Sequence, residues 1–239
     1  MKRLLVFLSI FLTTVLLFSI DSKVNPKEEN GVKLVALTFD DGPDVKLTSA
    51  VLDTLEKHGV VATFFVVGQR LNESTRAILE RMISMGCEIG NHSWNYEPLD
   101  KKDPETIKDH IERTNELIKK YAGKEPRFFR PPNLAVSGTM FDVINMPFVS
   151  GVLGYDWAGC DRDPQKIVNN VLKGVRDGAI ILLHDVQPEP HPIVEVLEIL
   201  IPELKKRGYE FVTLSELFKR KGVNPEDPVY RKKMWVYVE

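Results

Sequence analysis

Five apolar, β-rich runs in this chain each end in polar residues suited to chemistry. KLVALTF leads into Asp40-Asp41-Gly42-Pro43, CEIG into His92, and RFF into Arg130-Pro131-Pro132. PFVSGVLG leads into Asp156-Trp157, and GAIILL into His184-Asp185. Adjacent carboxylates repel, so Asp40 and Asp41 both stay ionised only beside cations, which a divalent metal and Arg130 would supply. One aspartate would then bind the metal. The other would take a proton from water whose pKa the ion lowers. Each stretch alone also has an ordinary reading. DDGP makes a type I turn with Asp at its start. His92 is a hydrogen-bonded loop histidine, and Arg130 a surface residue stiffened by two prolines. What weakens those readings is that the polar residues recur at the ends of several runs. His58 and His110 read as solvated residues of helices, and His191, between Pro190 and Pro192, is assigned no role.

The elements around these residues alternate. Strands are expected at VVATFFVV, CEIGNHS, RFF, PFVSGVLG, GAIILLHD and YEFVTL, in addition to KLVALTF. Helical spacing marks KLTSAVLDTLEKHG, NESTRAILERMISMG, DPETIKDHIERTNELIKKYAG, PQKIVNNVLKGVR and IVEVLEILIPELKKRG. Asn72 and Ser74 are candidate caps of the second helix, and Asp103-Pro104 opens the third. Strands alternating with helices imply a mostly parallel α/β sheet, and about seven such units fit a distorted barrel as well as a flat doubly wound sheet. In either, functional side chains gather at the carboxyl ends of strands. The tail 223–239, VNPEDPVYRKKMWVYVE, receives no role.

With 239 residues, 43% of them hydrophobic, the chain has enough for one sizeable core. Its 32 basic and 34 acidic side chains leave a formal charge of -2, which argues against a nucleic-acid partner. Lys2 and Arg3 precede the apolar run Leu4 to Ile20, and a polar stretch follows from Asp21. That is the pattern of a secretory signal, or of an uncleaved membrane anchor, since no small-x-small cleavage site follows. The expected division is a signal or anchor at 1–22, a linker at 23–32, a catalytic domain at 33–222 and an extension at 223–239, with the domain outside the cytoplasm as a monomer. Two cysteines, Cys87 and Cys160, do not make a disulfide framework, and free buried thiols are expected.

Read together and in order, LTFDDGP, NHSWNY, FFRPPN, YDW and ILLHD resemble the five motifs of the polysaccharide deacetylases, the NodB-like carbohydrate esterases of family four. The resemblance runs from about Lys33 to Leu217. It implies a distorted (β/α) barrel that uses one divalent metal ion, cobalt or zinc, to remove acetyl groups from polysaccharide or oligosaccharide. Carried over residue by residue, Asp41 and His92 would be metal ligands and Asp40 the base. Arg130 would keep Asp40 ionised. His184 would be the acid that protonates the leaving oxygen or nitrogen, tuned by Asp156. Pro131, Asn133, Trp157 and Leu182 would line the substrate groove, with Leu182 against the acetyl methyl and the Asn133 backbone N–H on the oxyanion.

The chain departs from the family pattern in three places. Tyr96 stands where the family has its third ligand, a histidine. A phenol with a pKa of roughly 10 is a poor ligand, so two firm protein ligands and several waters are expected, in hard octahedral coordination. Asn133-Leu134 replaces an aromatic residue and glycine, and AGCDRD lengthens the segment after Trp157. HSWxY with FFRPPNL and LLHDVQPEPHP resembles a branch that includes acetyl-xylan esterases, which favours O-acetyl xylan over N-acetylglucosamine polymers. The alternative is a carbohydrate-binding relative without catalysis, and only Tyr96 favours it.

Overall fold

β-Branched and aromatic runs become central strands when both of their faces are covered. That is the state of β1 (Lys33–Asp40), buried along all but its first residue in the computed structural model, which describes residues 32–157 and 162–239. β1 is the hub. It pairs in parallel with β6 (Ala179–His184) along Val35–Asp40, with β2 (Thr63–Val66) near its end and with β7 (Tyr209–Phe211) near its start. β2 continues to β3 (Glu88–Asn91), and β6 to the short β5 (Val152–Leu153). Parallel pairing points every strand's carboxyl end to one rim. The register sets Asp40 directly opposite His184.

Beyond β3 the ladder thins. RFF contributes a single bridging residue, Phe129, between Asn91 and Phe148. Pro131 and Pro132 follow at once and have no N–H to extend it. The expected strand PFVSGVLG splits into β4 (Phe148–Val149) and β5. Gly151 lies in the gap, pressed so closely on β6 that a Cβ there would stand 2.9 Å from the Ile180 carbonyl and from Leu182. β4 pairs with β8 (Met234–Trp235), a strand from the tail. The Ile180 N–H then donates to the Val236 carbonyl, linking the tail to β6. The parallel sheet thus curves as a distorted barrel in which single bridges replace part of the ladder.

Helices α1 (Leu47–His58), α2 (Arg76–Ser84), α3 (Pro104–Ala122), α4 (Gly138–Val143), α5 (Pro164–Gly174), α6 (Ile193–Lys206) and α7 (Leu214–Arg220) connect the strands. One large apolar cluster joins α1, α2, α5 and α6 to β1, β2 and β6. Asp103 caps α3 as expected, accepting from the Thr106 N–H. α2 starts later than its candidate caps suggest. The Asn72 side chain accepts from the Ser74 N–H two residues on and closes a local turn, so the helix begins at Arg76. Two histidine readings are also corrected. His110 is buried on the inner face of α3 beside Ser93, and His58 is half-buried against Glu198 at 3.1 Å. Cys87 is buried, and burial pushes its thiol up. The segment 1–22, most of 23–32, and Cys160 lie outside the described residues.

Candidate active site

The rim of strand ends surrounds a cavity of about 460 Å³ lined by Asp40, Asp41, His92, Tyr96, Pro131, Asn133, Trp157, Leu182 and His184, among others. Of the residues to which the family resemblance gives a role, only Arg130 and Asp156 are not part of the lining. They stand behind it.

Asp40 ends β1 and is almost fully buried. Arg130, wholly buried, donates from Nη1 to Asp40 Oδ1 at 2.7 Å and from Nη2 to the Ser150 carbonyl at 2.7 Å, with its guanidinium over the Phe65 ring. Such a charge-assisted bond fixes the carboxylate's orientation, which leaves Oδ2 facing the cavity. Asp41, one residue on, turns the chain with a left-handed backbone, φ 78°. Burial by itself would lift its carboxyl. His92, then His184 and Arg70, hold it below its ordinary value.

His92 is buried where β3 ends. Its Nδ1 donates to the Arg130 carbonyl at 2.7 Å, which leaves the Nε2 lone pair for the cavity. Nε2 lies 3.5 Å from Asp41 Oδ1 and 3.9 Å from Asp40 Oδ2. Burial opposes a charge on this ring, but Asp40 and Asp41 outweigh it and raise its proton affinity. A site that draws a proton between an imidazole and a carboxylate suits a divalent cation equally well, because the donor set is hard oxygen plus borderline nitrogen. Asp41 Oδ2 accepts from Gln187 Nε2 at 2.6 Å, so Oδ1 is left for an ion. Among the described residues, no group of three His, Cys, Asp or Glu side chains has the geometry of a complete ion cage. Two protein donors and solvent would hold the metal.

The Tyr96 hydroxyl is engaged elsewhere. It accepts from Arg70 Nε and donates to the Asp41 carbonyl at 3.2 Å. Burial raises its pKa and Arg70 only partly offsets that, so the phenol stays protonated, which suits a clamp on the strained Asp41 backbone better than a ligand.

Across the cavity, His184 Nδ1 donates to Asp156 Oδ1 at 2.9 Å, and the His184 backbone N–H donates to Oδ2 at 2.8 Å. Burial works against charge on His184, yet Asp156 overrides it and pushes the ring up to about 9. Asp156 meets the same burial and is still held down to about 2, by His184 first and then His191. The Trp157 ring stands edge-on to His184, 5.9 Å between centroids.

Five described residues other than glycine have positive φ: Asp41, Ser93, Asn133, Leu134 and Tyr155. Three of them line the cavity, and Ser93 and Tyr155 adjoin His92 and Asp156. Strained backbone of this kind costs roughly 1–3 kcal/mol per residue and persists where the surroundings over-determine it, often at functional sites.

Sequence reasoning missed two residues here. Gln187 carries no motif, and only its closeness to His184 in the chain hinted at it. His191 was passed over as a loop residue between prolines, although its ring is buried against Asp156. Asp185 is also fully buried, bonded to Thr48 Oγ1, and burial pushes it up to about 7. It packs under Gly42, where a Cβ would fall 2.3 Å from its Oδ2.

Residues 27–146 match the family model described as polysaccharide deacetylase. A family 4 acetyl xylan esterase from Clostridium thermocellum, solved with a cobalt ion, is 55% identical and superposes with a TM-score of 0.83, covering 86% of this chain and 99% of that one. A bifunctional xylanase/deacetylase of Pseudobutyrivibrio xylanivorans is 44% identical over 216 residues, which is 88% of this chain and 35% of that protein. A peptidoglycan-N-acetylglucosamine deacetylase of Bacillus cereus is 36% identical over 197 residues, 80% of this chain and 91% of that protein. The chain thus spans about a third of the xylanase/deacetylase, and 40% of a second curated relative, the peptidoglycan deacetylase of Listeria monocytogenes. With half of its residues under the family model and almost the full length of two of these relatives matched, the chain belongs to the polysaccharide deacetylase family.

Proposed function

We propose that this protein is a metal-dependent hydrolase that removes acetyl groups from carbohydrate, with O-acetyl xylan as the favoured substrate and N-acetylglucosamine polymers second. One observation carries the reading: a carboxylate base held by Arg130 and a charged imidazole held by Asp156 face one cavity from paired strands, beside two convergent metal donors.

Asp41 Oδ1 and His92 Nε2 would hold a divalent cation, cobalt or zinc. When bound, the ion would polarise the acetyl carbonyl and lower the pKa of the attacking water. Asp40 Oδ2 accepts that water's proton, while Arg130 keeps Oδ1 occupied so that the base stays oriented. The Asn133 backbone N–H donates to the developing oxyanion. Leu182 excludes water around the acetyl methyl. His184, charged at neutral pH through Asp156, donates its proton to the departing sugar oxygen or nitrogen as the tetrahedral carbon collapses.

The preference for esters has two supports, the 55% identity to an acetyl xylan esterase and a metal site with few protein donors. An ester carbonyl is more electrophilic than an amide, and an alkoxide leaves more readily than an unprotonated amide nitrogen, so a weakly held metal handicaps ester cleavage less. The apolar run at Leu4 to Ile20 supports an extracytoplasmic place of action. The test is acetate release by the chelator-stripped full chain, on acetylated xylan and on an N-acetylglucosamine oligomer, with zinc, cobalt or no metal. Metal-dependent release, faster on xylan, is expected. Faster release from the amide would overturn the ester preference, and metal-independent release the role of the cation.

A further inference from the structure

The loop between β6 and α6, residues 185–192, reaches both halves of the cavity. Gln187 holds Asp41, and four residues later the His191 ring turns inward, its side chain 1% exposed. Among the described residues Nδ1 of that ring has no partner, and Nε2 meets Asp156 Oδ2 at 3.4 Å, an ion-pair contact longer than a tight hydrogen bond. A buried, unpaired polar group costs about 1–3 kcal/mol, so a leucine would serve better there if filling space were the whole task. The placement is also held firmly. The His191 N–H donates to Glu189 Oε2 at 2.8 Å, and Arg162 Nη1 donates to the carbonyls of Pro188 and Pro190 on either side of Glu189. Pro190 and Pro192 flank the ring and restrict its backbone.

Asp156 Oδ2 already accepts the His184 backbone N–H. A second donor at Oδ2 would spread the carboxylate's charge toward His191 and away from His184. It would also stop the carboxylate from swinging about its own axis. We propose that His191 is a positioning residue: from behind Asp156 it holds the carboxylate that orients His184, and it moderates the negative charge that His184 faces. The proposal rests on the deacetylase reading only in taking His184 as the proton donor. The charged and titratable groups facing His184 are Asp156, Asp40 and Asp41, with the Trp157 ring edge on a further side. Asp156 faces His184 and His191.

Removing the donor should leave Asp156 more strongly negative toward His184. His184 then gives up its proton at higher pH and is a weaker acid at neutral pH. The experiment compares His191→Leu and His191→Gln with the parent full chain, reading kcat and KM against pH and the His184 ring nitrogens by ¹⁵N NMR. For the leucine variant we expect kcat to fall roughly tenfold with KM little changed, a fraction of the roughly 10²–10⁴-fold that general-acid catalysis contributes, since the acid itself remains. Its His184 titration should move to higher pH. The glutamine variant, which keeps a donor near Nε2, should regain most of both. An unchanged His184 titration and kcat in the leucine variant would make His191 a space-filling residue and overturn the proposal, whatever the melting temperature does. Equal losses in both variants with His184 unmoved would do the same. If the leucine variant fails to fold, the parent protein decides: a His191 Nε2 proton protected from exchange is expected, and its absence overturns the proposal. Absence of acetate release by the parent would count against the deacetylase reading alone, since the NMR arm needs no substrate.

Discussion

At the residue scale, the site divides its charges by what stands behind each one. Asp40 has Arg130 behind it, His184 has Asp156, and His92 has the Arg130 carbonyl. Replacing Asp40 by Asn keeps the acceptor for Arg130 and removes the base. Turnover should fall about 10²–10⁴-fold with the circular dichroism spectrum unchanged. Exchanging Tyr96 for His frees the Asp41 carbonyl and adds a third protein donor, the second nitrogen. Calorimetry on the stripped protein should show tighter zinc binding than in the parent. The pH dependence follows from the Asp156–His184 pair. His184 is raised from 6.5 to about 9, so its contribution to stability is complete below about pH 6.5 and is lost as pH rises through about 9. Asp156 is lowered from 3.8 to about 2, so its share is present above about pH 3.8 and is lost as pH falls toward 2. Melting temperatures recorded across that range should decline at both ends, and His184→Gln should flatten the alkaline decline. Activity should fall with the loss of the His184 proton. The fall should come at lower pH with a cation bound, because a second positive charge disfavours the imidazolium.

At the element scale, the turn after β1 and the gap between β4 and β5 matter more than any helix. Gly42 admits Asp185 beneath the aspartate pair, at a distance no Cβ allows. Gly42→Ala should therefore shift both the turn and Asp185. A loss of about 1–3 kcal/mol is expected from overpacking, read as a lower urea midpoint with an unchanged slope. The strands themselves were legible from their apolar runs. The break at Ser150-Gly151 was not, because it goes with the close approach of Gly151 to Ile180 and Leu182 of β6, which lie beyond α5 in sequence and next to the glycine in space. The late start of α2 was hidden for the opposite reason. Asn72 had two local options, a cap or a turn, and side-chain geometry chose the turn.

At the scale of the whole molecule, the tail is built into the fold. Trp235 is 2% exposed, lies T-shaped on Phe218 at 4.9 Å, and sits in the strand that pairs with β4. The Val238 N–H donates to the Gly178 carbonyl at 2.8 Å, just before β6. Trp235→Ala should cost about 3–5 kcal/mol by chemical denaturation. It should leave kcat nearly unaltered at temperatures where the variant is folded, since Trp235 does not line the cavity.

The sequence by itself determined the alternation of strands and helices, the parallel sheet, and the polar residues that end its strands. These follow from local periodicity and from the rule that parallel strands share one carboxyl rim. It also marked Tyr96 as the odd member of its motif. Only the tertiary structure decided what Tyr96 does with its hydroxyl, that Arg130 is interior rather than exposed, and that the tail joins the sheet. His191 belongs to the same group. Nothing in Pro-His-Pro distinguishes a solvated ring from one buried against a carboxylate 35 residues earlier. The reason is physical: burial and pairing are properties of distance in space, and a chain that wraps its sheet into a curved core brings together residues whose local sequences carry no trace of one another.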